Sequence, residues 1–330
     1  MNGFGTKLAL APRKGSVAVE LGSTGSKAAL VQAARGALES CVELPGCDLE
    51  SAGSNACRRA LADWVDRSVL SGARCRIVLG GEFFRVDTAN LPAMNDQELA
   101  SSARFEAMDR FGLDEEHAII QHIALGTDSG RRSVAMLAAP IDRVRRAAQI
   151  VLEAGLMPDS IEHAALAAAR GVLAWDAASR SALVAMLHVE SSVATISIWR
   201  DGVLHNLRAL VGDWGSAIAA PTHARTDEIA LEPIAADTGW RWSAMAEETL
   251  RTLRQTCGEA SWPSRLLITG CMGEAPDLVR ALGGVCAIPT VVVDCADWSL
   301  GSSDATGPGW ATLLGTVAAE EAAVAARRVA

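Results

Sequence analysis

The sequence has 330 residues, of which 50% are hydrophobic and 21% are charged. A chain of this length can bury a large core and is too long for one small domain. It carries 30 Lys and Arg residues against 39 Asp and Glu residues, which gives a formal net charge of −9. This charge disfavours nucleic acid as a partner, because neutralising phosphates needs a positive field. Tyrosine is absent, and lysine occurs only at Lys7, Lys14 and Lys27.

Eight cysteines are scattered along the chain, without a CxxC pair or a histidine at metal-ligand spacing. We interpret them as reduced thiols, since a core of this size needs no disulfide. Residues 1–16 lack an apolar run of signal-peptide length, and no window approaches the ~20 apolar residues of a membrane span. We therefore expect a cytoplasmic protein without direct membrane insertion, whose partners can still be membrane proteins.

The first third of the sequence predicts strands around a tight glycine turn, followed by a helix and another strand. The predicted segments are the strands Ser16–Leu21, Lys27–Gln32, Ala37–Leu44 and Arg74–Leu79, the turn Gly22–Ser26 and the helix Asn55–Leu70. The helix follows from apolar residues at helical spacing. After Gly80 and Gly81, an extended segment covers Phe83–Thr88, and Leu91–Asn95 is predicted to interrupt the pattern.

A second group of elements predicts an inserted α/β subdomain over residues 91–139. The predicted elements here are the helix Asp96–Phe111, the strands Ala118–Leu125 and Ser133–Ala139, and, beyond them, the helix Ile141–Ala154. Asn95 is expected to be the N-cap of the first helix, with Glu98 completing a capping box. Gly155 is expected to end the last helix.

The opening order of elements then recurs. The predicted strands are Ala182–His188, Val193–Trp199, Val203–Leu210 and Arg265–Thr269, and the predicted helices are Ser243–Cys257, Glu274–Leu282 and Trp310–Val324. The first two strands are joined by Glu190–Ser192, and the next pair by the two-residue hairpin turn Asp201-Gly202. Residues 212–240 are predicted to be a long loop.

These turns join two strands, whereas a Rossmann glycine loop must open a helix, and no P-loop motif occurs. The repeated unit instead predicts two related lobes. Residues 1–90 and 140–180 form the first, and residues 181–330 form the second.

The stretch Val17–Lys27, VAVELGSTGSK, resembles the first phosphate loop of the actin-like ATPases. Within that superfamily it is most similar to the PilM-like proteins of type IV pilus assembly. Further similar stretches are Leu91–Met94 with Ala103–Ala107, Ala138–Pro140 with Leu152–Pro158, and Trp199–Gly202 with Arg208–Leu210. The resemblance covers residues 17–210 well and the remainder loosely. It implies an α/β actin-like ATPase fold, with two duplicated ribonuclease-H-like lobes and an inserted α/β subdomain.

The resemblance also implies a nucleotide site between the lobes. In this fold the backbone N–H groups of two hairpin turns hold the phosphates, and acidic residues orient the waters of Mg²⁺. The candidate residues for ATP with Mg²⁺ are Glu20, Gly22, Ser23, Thr24, Gly25, Ser26 and Lys27 in the first hairpin, Thr195 in the second, and Gly270 and Gly273 in the adenosine turn. No catalytic residue and no protein metal ligand is assigned.

Each of the three nucleotide elements departs from the family pattern. Glu20 stands where an Asp is expected, His188 replaces the Asp of the second hairpin, and Glu190 replaces its Gly. Cys271 replaces the second glycine of the adenosine turn. These departures predict a pseudo-ATPase with weak or absent nucleotide binding.

The resemblance favours a cytoplasmic scaffold of a type IV pilus or a related type II secretion machine, peripheral to the inner membrane through its partners. The implied partners are the cytoplasmic tail of a PilN-like membrane protein and other pilus assembly or secretion components. One alternative is an active actin-fold ATPase or small-molecule kinase, for which Asp87 is the nearest candidate base. Another is the cytoplasmic domain of a GspL-like secretion protein.

Overall fold

The structure is a computed structural model that describes residues 16–32, 37–49, 54–114, 116–128, 131–211, 239–257, 261–271, 276–297, 307–316 and 318. Within these ranges, two five-stranded sheets and one three-stranded sheet organise the chain.

The first sheet is assembled around the opening hairpin. Its strands are β1 (Ser16–Leu21), β2 (Gly25–Gln32), β3 (Ala37–Pro45), β4 (Arg74–Leu79) and β8 (Met157–His163). They lie in the order β3-β2-β1-β4-β8. The first three are antiparallel neighbours, whereas β4 pairs in parallel with both β1 and β8.

The second sheet repeats this arrangement. Its strands are β9 (Leu183–Val189), β10 (Val193–Arg200), β11 (Val203–Val211), β12 (Leu266–Thr269) and β13 (Thr290–Val292). They lie in the order β11-β10-β9-β12-β13, again with three antiparallel strands followed by two parallel ones. The predicted duplication of a ribonuclease-H-like unit is therefore confirmed.

Helices cover the outer faces of both sheets and fill the space between them. They are α1 (Asn55–Arg67), α3 (Ile141–Glu153), α4 (Ala164–Trp175), α5 (Ala177–Arg180), α6 (Gly239–Cys257) and α7 (Pro276–Cys286). Helices α1 and α3 pack on the outer face of the first sheet, and α6 and α7 on that of the second. Helix α4 and the helical residues 311–316 lie between the sheets, in a shared core.

The two central helices touch through glycine. A Cβ at Gly315 would lie 1.7 Å from the carbonyl oxygen of Ala167, and one at Gly171 would lie 2.9 Å from that of Ala311. Only residues without a side chain fit at these two points. The crossing therefore fixes how closely the two halves approach.

The third sheet belongs to the insertion. Its strands are β5 (Arg85–Pro92), β6 (Ala118–Asp128) and β7 (Arg131–Pro140), ordered β5-β7-β6, and α2 (Asp96–Phe111) packs against them. The predicted capping box is confirmed, because Asn95 accepts from the N–H of Glu98 and the Glu98 carboxylate accepts from that of Asn95.

The predicted interruption at Leu91–Asn95 is wrong in its first part, since β5 continues through Pro92. Proline is tolerated there because it ends a strand at the edge of the sheet. Strand β5 begins at Arg85, before the predicted start of the insertion at residue 91. The division into domains stays a prediction.

Several other local predictions can be compared with the structure. The hairpin turn is confirmed by φ angles of 53° at Asp201 and 75° at Gly202. The predicted loop over residues 212–240 lies outside the described residues up to residue 238, and Gly239 already begins α6. In place of a helix starting at Trp310, a 3-10 turn covers Pro308–Trp310, and a helix covers residues 311–316. The other predicted residues lie outside the described ones, apart from residue 318.

Candidate functional site

The first hairpin turn lies at the cleft between the two large sheets. Ser23, Thr24 and Gly25 are exposed, whereas Gly22 is buried. The N–H of Ser23 points to a 3-10 turn that covers Gly81–Phe83, and it donates to Oε1 of Glu82 at 2.9 Å. An amide that the resemblance assigns to a phosphate is therefore bound to a carboxylate of the chain itself.

The second hairpin turn sends a carboxylate into the same place from the opposite sheet. Glu190 is 5% exposed, and its Oε2 accepts from the N–H of Gly81 at 2.7 Å. The turn is closed by a bond of 3.0 Å from the Glu190 N–H to the Val193 carbonyl. Glu190 thus connects the second sheet to the loop that follows β4 of the first.

The two carboxylates converge over Gly80. A Cβ at this glycine would lie 2.4 Å from Oε2 of Glu82 and 2.6 Å from Oε1 of Glu190. Burial raises the pKa of Glu190 well above its ordinary value, and the neighbouring charge of Glu82 acts in the same direction. Oε2 of Glu82 is buried and has no hydrogen-bond partner. Burial and the neighbouring charge therefore favour the protonated form of Glu190.

Glu20 and Lys27 face each other across the first hairpin, at paired positions of β1 and β2. Burial raises the pKa of Glu20, although Lys27 and a hydrogen bond from the Thr312 hydroxyl oppose this. Lys27 Nζ donates to the Gly309 carbonyl at 2.8 Å and lies 5.5 Å from the ring centre of Trp310. The ammonium group is thus engaged by residues 309–310, where a cation–π contact adds to the hydrogen bond.

His188 and Thr195 lie beneath the second hairpin turn. Nδ1 of His188 is 3.0 Å from the Thr269 hydroxyl, while Nε2 has no hydrogen-bond partner and lies 4.0 Å from Oε1 of Glu190. Burial lowers the pKa of His188 to about 3, so the ring is neutral near pH 7. The hydroxyl of Thr195 is fully buried and also has no partner.

The predicted adenosine turn begins directly after β12. Gly270 has a φ of 97°, and a Cβ there would lie 2.3 Å from the carbonyl oxygen of Val189. This glycine is therefore needed for packing against β9, whether or not a nucleotide binds. Cys271 is exposed, and Gly273 lies outside the described residues.

These contacts do not fit a bound triphosphate. The amides of Ser23 and Gly81 already have carboxyl partners, and Lys27 is engaged by Gly309. Added phosphate would meet the carboxyl groups of Glu82 and Glu190 in its place. Across the described part of the chain, no three His, Cys, Asp or Glu side chains are grouped as a metal site.

The structure brings most of the predicted residues together but adds some that sequence reasoning missed. Glu82, Gly309 and Thr312 lie far along the sequence from their partners and match no motif. The only hint in the sequence is the Gly80-Gly81 pair, whose missing side chains leave room for the two carboxylates.

A separate apolar groove of about 320 Å³ lies between the insertion and the first sheet. Its apolar lining includes Phe84, Ile119, Ile123, Leu137, Val144 and Ile161. His163 Nε2 and Glu162 Oε1 lack hydrogen-bond partners, and both residues also line the groove. His163 Nδ1 accepts from the N–H of Ala165 at 3.1 Å, and burial lowers the pKa of this histidine to about 4. Nε2 therefore carries the proton and is a free donor.

The paired sheets, the cleft between them and the inserted subdomain define an actin-like ATPase fold. No family model and no curated protein matches the sequence.

Among solved structures, the chain is similar to the PilM-PilN type IV pilus biogenesis complex, with a TM-score of 0.69 and 19% identity over 94% of this chain and 99% of that one. A Bacteroides thetaiotaomicron protein with an actin-like ATPase fold matches with a TM-score of 0.49 and 11% identity, over 84% of this chain and 91% of that one. The cytoplasmic domain of EpsL from the Vibrio cholerae type II secretion system matches with a TM-score of 0.48 and 9% identity, over 77% of this chain and 81% of that one. At these identities the likeness establishes the fold.

Helices long and apolar enough to cross a membrane do not occur in the described residues.

Proposed function

We propose that this chain is a cytoplasmic scaffold of a type IV pilus or related secretion platform, and that it binds the tail of a PilN-like inner-membrane protein. The observation that carries the proposal is the apolar groove between the insertion and the first sheet. The likeness to the PilM-PilN complex supports the choice of partner.

The chemistry of the groove suits an extended peptide. Its apolar walls can take alternate side chains of a strand-like segment, while backbone groups of the peptide pair with polar atoms of the protein. His163 Nε2 can donate to a peptide carbonyl, and Glu162 Oε1 can accept from a peptide N–H or a basic side chain. Filling the groove would remove apolar surface from water, which stabilises by about 25 cal/mol per Å² before the costs of association.

Titration with the cytoplasmic N-terminal peptide of a PilN-like membrane protein from the same organism tests the proposal. We expect Ile119→Asp, at a groove residue that is 39% exposed, to weaken binding at least about tenfold, because it places a charge against apolar peptide atoms. Val203→Asp is the matched control, since Val203 is 53% exposed on a strand of the second sheet and does not line the groove. Equal weakening by both variants, or no binding by the unaltered protein, would contradict the proposal.

We also propose that the chain is a pseudo-ATPase that binds Mg-ATP weakly or not at all. Support comes from Glu82, which accepts from the Ser23 amide of the first hairpin turn, and from Glu190, whose side chain leaves the second hairpin turn and accepts from the Gly81 amide. Isothermal titration with Mg-ATP should give no measurable heat at micromolar protein, and a phosphate-release assay should give no turnover above buffer.

The active ATPase or kinase alternative has weak support. Its candidate base, Asp87, lies on β5 of the insertion and forms an ion pair with Arg110 at 2.8 Å. Micromolar Mg-ATP binding with turnover would favour this alternative. The GspL-like alternative predicts the same scaffold chemistry with a different membrane partner.

A further inference from the structure

The apolar groove between the insertion and the first sheet (the first groove) adjoins a wider one (the second groove). The second groove has a volume of about 730 Å³, against about 320 Å³ for the first. Ile123 of β6 and Leu166 of α4 line both grooves, so the two form one continuous track across the surface. A segment bound in the first groove can therefore extend into the second without leaving the protein.

The second groove is built by three parts of the chain. Besides β6 of the insertion and α4 between the sheets, the hairpin of β10 and β11 contributes to its wall. Its large apolar side chains are those of Ile123, Leu166, Leu173, Trp199 and Leu204. The half-buried Trp199 ring is held in place, because its Nε1–H donates to the Ser197 hydroxyl at 2.8 Å. A rigid aromatic ring of this kind suits an apolar side chain of a partner.

The polar lining of the second groove contains a positive charge without a carboxylate partner. Arg180 is exposed, and its Nε and Nη2 donate to carbonyls in the last turn of α4 at 2.8 Å and 2.5 Å. Its Nη1 has no partner among the described residues. Arg170, which also lines the groove, is already paired with Glu162. Asp201 of the hairpin turn is exposed and makes no ion pair in the described part of the chain, so Arg180 is left to bind an anionic group.

We propose that the tail assigned to the first groove continues into the second, where it places an acidic side chain on Arg180 and an apolar side chain against Trp199. This inference rests on the proposed function, because the same PilN-like tail is the occupant. The continuity of the two grooves favours one extended segment over a separate ligand. The unpaired guanidinium favours a carboxylate.

A tail bound in this way contacts both halves of the molecule. The first groove belongs to the insertion and the first sheet, whereas Trp199 belongs to the second sheet. Arg170 lies at the junction, because its Nη2 donates to Glu162 of the first groove and its Nε donates to the Gly315 carbonyl at 2.8 Å. Gly315 forms the helix crossing between the two halves. The longer segment thus spans the joint between them, which a ligand of the first groove alone does not.

Calorimetric titration of the full chain with the cytoplasmic N-terminal peptide of a PilN-like membrane protein from the same organism tests the inference. Arg180→Gln removes the positive charge, and Ala124→Glu adds a negative charge at an exposed residue of the second groove. We expect each variant to weaken binding at least about threefold. Arg200→Gln is the matched control and should leave the affinity unchanged, since Arg200 is exposed next to Trp199 and lines neither groove.

The acidic side chains of the peptide supply the second half of a double-mutant cycle. Replacing each Asp and Glu of the peptide with Asn and Gln should weaken binding to the unaltered protein but change binding to Arg180→Gln little. A peptide cut to the part that fills the first groove should bind Arg180→Gln as tightly as it binds the unaltered protein. That equality also shows that the variant is folded.

Equal effects of Arg180→Gln and Arg200→Gln, an additive cycle, or a tail without an acidic residue would overturn the inference. If Ile119→Asp still weakens binding in that case, the proposed function stands and the second groove takes no part in it. If the unaltered protein binds no peptide, the proposed function and this inference fail together. Dimerisation of the unliganded chain that Arg180→Gln abolishes would assign the second groove to a second copy, and would also overturn the inference.

Discussion

The two five-stranded sheets have the same strand order but opposite chemistry at the turn between their first two strands. At the first turn, Gly22–Thr24, the Ser23 amide donates to Glu82, whereas the second turn, Glu190–Ser192, contributes a buried carboxyl group that accepts from the Gly81 amide. The strands are constrained by the core they share, so duplication has preserved their order. The turns are less constrained by that core, and the Glu190 side chain of the second turn reaches the Gly81 amide of the first half.

The largest expected effect is on the free energy of unfolding, at the helix crossing where the two halves touch. Gly315→Ala places a methyl group 1.7 Å from the Ala167 carbonyl oxygen, so the helices must separate, at a cost of about 3 kcal/mol. Chemical denaturation measures this loss of stability. Gly283→Ala in α7 is the control, because nothing lies within 4 Å of its Cβ, and it should stabilise by about 0.5–1 kcal/mol. Equal changes in stability for Gly315→Ala and Gly283→Ala would contradict close packing at the helix crossing.

The next effect concerns the ligand that the cleft accepts. Glu82→Ala with Glu190→Gly frees two amides and removes both carboxyl groups from the cleft, so we expect Mg-ATP affinity to rise at least about tenfold in calorimetric titration. The control is Glu82→Gln with Glu190→Gln, which removes the charge but fills the same space. If the double Gln variant gains as much Mg-ATP affinity as the variant with Ala and Gly, charge alone excludes phosphate.

A smaller effect concerns the pH dependence of the free energy of unfolding. The pKa of folded Glu190 is raised well above its ordinary value of 4.5, so the folded state holds a proton that the unfolded state releases. Its contribution to stability is complete below that ordinary value and is lost as pH rises through the raised pKa, by at most about 1.4 kcal/mol per pH unit. Denaturation of wild-type and Glu190→Gln proteins across pH should give curves that diverge as pH rises. Parallel curves would contradict the protonated state.

The smallest effect lies in the insertion, which has no counterpart among the described residues of the second half. Asn95→Ala removes the cap of α2 and should cost about 1 kcal/mol. Hydrogen exchange of the α2 amides measures the local loss. Ser54→Ala at the start of α1 is the control, because Ser54 makes no side-chain cap bond, and it should change stability little.

The sequence predicted the parts of the fold that local patterns encode. Alternating strands, the glycine turn, the Asp201-Gly202 hairpin and the Asn95 cap all follow from neighbouring residues. Strand β8 was missed because its first four residues are exposed and one is Pro158. Helix α4 was missed because it is buried almost all round, and such a helix has no amphipathic period.

The sequence predicted only those site residues that belong to the local hairpin motifs. Glu20 and Lys27 were found by motif, but the bond from Ser23 to Glu82 and that from Gly81 to Glu190 join residues far apart in the chain. Such pairs follow from the packing of the two sheets against each other, which no local pattern encodes.

The contact between Lys27 and Gly309 has a consequence for the order of folding. It joins residues 282 positions apart, on the second strand and beside the last helical segment described. During synthesis the first sheet can form its hairpin and pack α1 early, because those contacts are local. The ammonium group of Lys27, however, stays in water until residues 309–310 have left the ribosome. The cleft therefore closes after the first half has folded, although the bond from Ser23 to Glu82 lies within that half and can form earlier.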